Sequence, residues 1–120
     1  HPNGACGYRI EYGGRAVCYI TDTEHRPDER DPKVVDLVSG ADIMIYDSTY
    51  TDEEYPRYVG WGHSTWQVGA KLAEMAGVKA YVPFHHDPSH DDKIMAAIEA
   101  EAKSRFAGTI VAREGLTLDV

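Results

Sequence analysis

At 120 residues, 42% hydrophobic and 27% charged, the chain has the size and composition of one globular domain with a modest core. Twenty acids against twelve bases give a formal charge of −8. That balance argues against non-specific binding to nucleic acid or an anionic membrane, both of which need a basic face. No apolar run approaches the roughly 18 residues of a membrane span, and no basic stretch precedes an apolar one as in a signal peptide.

The chain opens on His1-Pro2-Asn3 without an initiator Met, so a processed or truncated product, or a piece of something longer, is expected. Tyr8-Arg9-Ile10-Glu11-Tyr12 alternates, Gly13-Gly14 supplies a two-residue turn, and residues 16–20 form a nearly all-apolar return strand. The two cysteines, Cys6 and Cys18, are too few for a disulfide framework. They are expected as reduced, mostly buried thiols in a cytoplasmic protein. Asp31 and Pro32 suit the N-cap and first position of a short helix over residues 33–38, which Gly40 ends.

A third strand covers residues 42–46 and leads into Asp47-Ser48-Thr49 and a long loop rich in Tyr, Asp and Glu. Ser64 is placed to cap a helix over residues 65–76, with Val68, Leu72, Met75 and Ala76 as its apolar stripe and Gly77 just beyond its end. Residues 78–84 read as a buried strand, and residues 92–106 as a helix with Ile94, Ile98, Ala102 and Phe106 on one face. Two short strands, 109–112 and 116–120, close the chain. The pattern predicts an α/β fold with a mixed sheet of six strands and helices on one face. Three helices are few for both faces of such a sheet, so the chain reads as half of a layered fold.

The chemistry gathers where strands end. Phe84-His85-His86-Asp87-Pro88-Ser89-His90-Asp91-Asp92 puts three histidines beside three carboxylates, groups that suit zinc, iron or manganese. Asp22 follows the second strand, Asp47 the third, and His85 the fourth. In parallel neighbours these ends share one sheet edge, as α/β proteins arrange their sites. His1 precedes the first strand and His63 stands before a helix. Each group also has a plainer reading. Asp22 reads as a turn aspartate, Asp47 as the start of an Asx turn, His63 as a partner for Trp61 or Trp66, and His25 and His90 as surface loop residues. Tyr50, Tyr55, Tyr58, Trp61 and Trp66 read either as packing under the loop or as a pocket wall.

Taken together, His1-Pro-Asn-Gly-Ala-Cys-Gly-Tyr-Arg-Ile, Tyr19-Ile-Thr-Asp22-Thr, Ala41-Asp-Ile-Met-Ile-Tyr-Asp47-Ser-Thr49, Gly62-His63-Ser-Thr65 and Val82-Pro-Phe-His85-His86-Asp-Pro resemble the C-terminal half of a metallo-β-lactamase-fold hydrolase. The branch is the one containing ribonuclease Z and cyclic-phosphate phosphodiesterases. The resemblance implies one half of an αββα sandwich and a divalent metal cofactor, zinc first, with iron or manganese as alternatives, two per complete site. It implies metal ligands at His1, Asp22 (the bridging carboxylate) and His85. It implies that Asp47 orients His63, which contacts the scissile phosphate and assists the leaving group.

The family's main ligand motif, His-x-His-x-Asp-His, does not occur in these 120 residues. The chain alone is therefore expected to be incomplete as a catalyst. Its partners would be the missing N-terminal half or a second copy of the chain, either of which would cover an apolar sheet face. Ribonuclease Z holds its RNA with a basic arm, and nothing here resembles one. A small phosphodiester or ester is accordingly the expected substrate, with no membrane partner and nucleic acid disfavoured as one. The competing reading is an inactive remnant that self-associates to cover its sheet.

Overall fold

The computed structural model describes every residue except Pro2. Strands β1 (Tyr8–Tyr12) and β2 (Arg15–Ile20) form the expected hairpin, antiparallel, with Tyr12 opposite Arg15. Gly13 and Gly14 turn it at φ +57° and +78°. Both lie in the left-handed region that a tight turn matching strand twist demands. Strand β3 (Ile43–Asp47) adds parallel to β2, and β4 (Ala80–Phe84) adds parallel to β3, giving the order β1-β2-β3-β4. The return strand is thus interior, as its apolar run requires.

Helices α1 (Pro32–Val38), α2 (Trp66–Met75) and α3 (Asp92–Arg105) follow β2, β3 and β4 in turn. The Asp31 side chain caps α1 by accepting from the Lys33 N–H, with Pro32 at the first turn. Asp91 caps α3 through Ile94, and Lys103 and Arg105 in its last turn complement the helix dipole. At α2 the cap is Thr65, one residue later than expected. The Ser64 hydroxyl is already engaged with His25 (2.9 Å) and Tyr46 (3.1 Å), which leaves Thr65 Oγ1 to accept from Val68.

One sheet face carries the core. Alternation sends Ala16, Cys18, Ile20, Met44, Tyr46 and Tyr81 toward the helices, where they meet Val38, Val68, Leu72 and Ala73. Burying a side chain of Leu72's size contributes roughly 1.5–3 kcal/mol. Met75, expected in that stripe, is instead half exposed. Trp66 is buried against Ile98 and Ala102, which seats α3 on α2. The opposite face is open over much of its area: Tyr8, Ile10, Tyr12, Tyr19 and Phe84 are all exposed, while Ile43 and Val82 are buried. This is the unpaired layer that half of a sandwich predicts.

The two C-terminal strands do not form. Instead, residues 108–112 run along the outer edge of β4. Tyr81 donates to Gly108 and accepts from Ile110, and Pro83 accepts from Ala112. Only the Tyr81–Thr109 pair closes as a bridge. The next rung would need a backbone N–H from Pro83, which proline lacks, so the ladder stops there. Four strands rather than six result. Both cysteines are free, and Cys6 is exposed rather than buried. Among the described residues, no helix is long and apolar enough to cross a membrane.

Candidate metal and catalytic site

The parallel register sets Ile20 beside Tyr46, Tyr46 beside Pro83 and Asp47 beside Phe84. The residues that follow these strands therefore emerge side by side. Asp22 (φ +54°) and His85 (φ +64°) both leave their strands in the left-handed region. For side chains other than glycine that backbone is costly, and it persists where surrounding contacts over-determine it. It reverses the chain and turns both side chains toward one point. Asp22, His63 and His85 each offer a ligand atom there, all within 4.8 Å of one another. His85 Nε2 lies 3.6 Å from Asp22 Oδ1, and the His63 and His85 rings stack with centroids 4.8 Å apart.

One carboxylate and two imidazoles in this space form a donor set of the kind that divalent first-row metals take. His1 lies outside that group. It packs against Gly62, whose absent side chain leaves room for the His1 backbone and ring.

Asp47 has no solvent exposure. A buried carboxylate has to be surrounded by donors, and this one is. Oδ2 meets His63 Nδ1 at 2.9 Å and the Thr23 N–H at 3.4 Å. Oδ1 accepts from the Thr49 hydroxyl (2.8 Å), the Thr49 N–H (3.2 Å) and the Ser64 N–H (3.2 Å). Asp47 thus makes the Asx turn of its plainer reading and also contacts His63. Because Nδ1 of His63 faces Asp47, Nε2 is the ring atom left for a cation or substrate.

The aromatic cluster divides. Tyr50 and Trp66 are buried and structural. Tyr58 stacks on Tyr50 at 4.3 Å, Trp61 meets the Tyr58 ring edge-on, and Trp61 remains 65% exposed. Glu24, which nothing in its local sequence singles out, pins this loop. Its carboxylate accepts from the Tyr55 hydroxyl (2.6 Å) and the Gly60 (2.7 Å) and Gly62 (3.2 Å) N–H groups. Burial alone would raise the Glu24 pKa, but these donors outweigh it and hold it below the usual carboxylate value.

Neither His25 nor His90 is a surface residue. His25 bonds Ser64 and packs at a tilt against the Tyr55 ring, and desolvation lowers its pKa. The His90 side chain is only 2% exposed and binds Glu54 at 2.8 Å. His86 bonds the Ala112 carbonyl at 3.2 Å, on the side of the terminal segment.

Residues 1–86 match the beta-lactamase superfamily domain. Ribonuclease Z of Porphyromonas gingivalis is 30% identical over 106 residues, covering 88% of this chain and 33% of that protein. Ribonuclease Z of Archaeoglobus fulgidus is 33% identical over 107 residues, covering 89% and 33%. The chain thus spans about a third of the length of the curated relatives it matches. Among solved structures, the Bacillus subtilis metallo-beta-lactamase fold protein YhfI superposes with a TM-score of 0.71 at 20% identity, covering 90% of this chain and 41% of that one. Human tRNase Z, short form, gives 0.70 at 21%, covering 94% and 37%.

The names of these proteins overturn the expectation that disfavoured nucleic acid as a partner, since ribonuclease and tRNase denote RNA substrates. The charge argument fails for a physical reason. A net charge summed over 120 residues does not describe the potential at one site, nor that of a polypeptide about three times as long.

Proposed function

Since the chain belongs to the beta-lactamase superfamily, as a ribonuclease Z-like protein of the metallo-β-lactamase fold, we propose that it carries part of the active site of a metal-dependent phosphodiesterase acting on RNA. Membership implies a divalent metal, and we propose zinc. The observation that carries this reading is the pair of buried Asp47 with half-buried His63, standing beside the Asp22–His85 strand ends.

Asp22 and His85 would hold the metal, with His1 as a further ligand. A divalent cation bound there supplies Lewis acidity and a water of lowered pKa. The remaining work falls to the chain's own side chains. Asp47 accepts from His63 Nδ1–H and orients the ring, so the proton exchanged with substrate is carried on Nε2. His63 would then deliver that proton to the leaving oxygen. Trp61 and Tyr58, two and five residues before His63, would offer a base a stacking surface. Further ligands, in a His-x-His-x-Asp-His motif, would come from a second β-layer seated on the open face of Tyr8, Ile10 and Tyr19.

The test is cleavage of a precursor transfer RNA by the full-length protein with zinc or manganese. His63→Ala should slow cleavage by about 100-fold or more and leave the metal in place. If the wild-type protein leaves RNA intact while hydrolysing bis(p-nitrophenyl) phosphate, the RNA assignment is wrong.

A further inference from the structure

The Thr49 hydroxyl has three close partners on two of the site's residues: Asp47 Oδ1 at 2.8 Å, the His85 carbonyl at 2.9 Å and His85 Nδ1 at 3.0 Å. A hydroxyl has one proton to give and lone pairs to accept with. The ionised carboxylate makes the shortest of the three contacts and is the strongest acceptor, and the His85 carbonyl is the only other acceptor that must be served. Directing the hydroxyl proton at either one leaves none for Nδ1. An unprotonated Nδ1 would then face an oxygen lone pair at 3.0 Å. The arrangement closes only if Nδ1 carries the ring proton and donates it to Thr49.

In the neutral imidazole that leaves Nε2 unprotonated, with its lone pair on the side of Asp22, 3.6 Å away. The Thr49 carbonyl also accepts from the Asp87 N–H. Thr49 therefore grips the chain on both sides of the left-handed turn at His85.

We propose that Thr49 is a positioning residue that sets the ring tautomer of His85, so that this histidine presents Nε2 to a divalent cation. Asp47 thereby orients two histidines: His63 directly and His85 through one hydroxyl. The proposal rests on the reading of His85 as a ligand, and its test separates the two.

The full-length protein, 15N-labelled at histidine and stripped of metal, is examined by long-range 1H–15N NMR at a pH where His85 is neutral. Wild type should show the Nδ1–H tautomer at His85. Thr49→Val, nearly isosteric but without the hydroxyl, should lose that signature and weaken zinc binding about 10- to 100-fold. Thr49→Ser should restore both. Thr49→Ala serves the same purpose if the valine is not accommodated. A hydroxyl-free variant that keeps the Nδ1–H signature overturns the proposal, as does one that loses it and still binds zinc with wild-type affinity. His85→Ala is the separate check on the ligand reading. Full zinc retention there removes that reading, while the tautomer assignment stands or falls on the spectrum.

Discussion

His63 Nδ1 lies 2.9 Å from Oδ2 of Asp47, a carboxylate with no exposure to solvent. Asp47 sits at the end of β3, the central strand of the parallel set, so the pair is anchored on a strand hydrogen-bonded on both sides. Asp47→Asn nearly keeps the shape but weakens the acceptor that faces His63 Nδ1. Turnover of bis(p-nitrophenyl) phosphate by the full-length protein should fall by about 100- to 10,000-fold with metal content unchanged. A fall of less than tenfold would remove Asp47 from the catalytic machinery.

Asp22 adopts φ +54° and is exposed. Its backbone favours glycine, so the carboxylate is kept at the expense of stability. Without metal, Asp22→Gly should raise the unfolding free energy in urea by on the order of 0.5–1 kcal/mol, while zinc occupancy falls. A metal-free variant less stable than wild type would show that Asp22 serves the fold rather than a ligand.

Gly69 lets α2 lie close on the sheet. A Cβ there would fall on the Tyr81 hydroxyl and 2.9 Å from Tyr46 Cδ1. The Tyr81 hydroxyl cannot easily yield, because it is bonded to Ser48 (2.9 Å) and the Trp66 carbonyl (3.0 Å). Gly69→Ala should therefore destabilise by about 1–3 kcal/mol despite alanine's better helix propensity. A calorimetric midpoint at or above wild type would contradict this packing.

Asp42 joins the far end of the sheet to β4. Its carboxylate pairs with Lys79 (2.7 Å), accepts from the Ala16 N–H (2.8 Å) and meets Arg15 (3.3 Å). Lys79 first, then the Ala16 N–H, draw its pKa down to about 2. The folded value lies below the unfolded one of roughly 3.9. The contribution is therefore complete above about pH 4 and lost as pH falls toward 2. Urea midpoints at pH 6 and pH 3 should differ less in Asp42→Asn than in wild type. Equal differences would show that Asp42 adds nothing to acid sensitivity.

What could be read in the sequence follows what is local. Gly13-Gly14 between two alternating runs specified the hairpin, and strands separated by helices implied parallel neighbours with shared ends. That was enough to bring Asp22, Asp47 and His85 to one edge. Residues 109–112 looked like a strand because their own composition is β-prone, but the proline that stops the pairing, Pro83, lies on the neighbouring strand. His25 and His90 looked like surface residues because their partners, Ser64 and Glu54, are distant in the chain. Asp47-Ser48-Thr49 was legible as a turn, yet the second use of Thr49 depends on His85, 36 residues away. The expectation that disfavoured nucleic acid failed because net charge has no position.

We propose a division of labour within one cluster: Asp22 and His85 would hold the cation, and His63, oriented by Asp47, would work on the phosphate beside it. Zinc content by elemental analysis of His63→Ala and His85→Ala, measured on the full-length protein beside its turnover, tests this most directly. His63→Ala should retain wild-type zinc and lose turnover, while His85→Ala should lose zinc. Zinc lost from His63→Ala, or retained in full by His85→Ala, would contradict it.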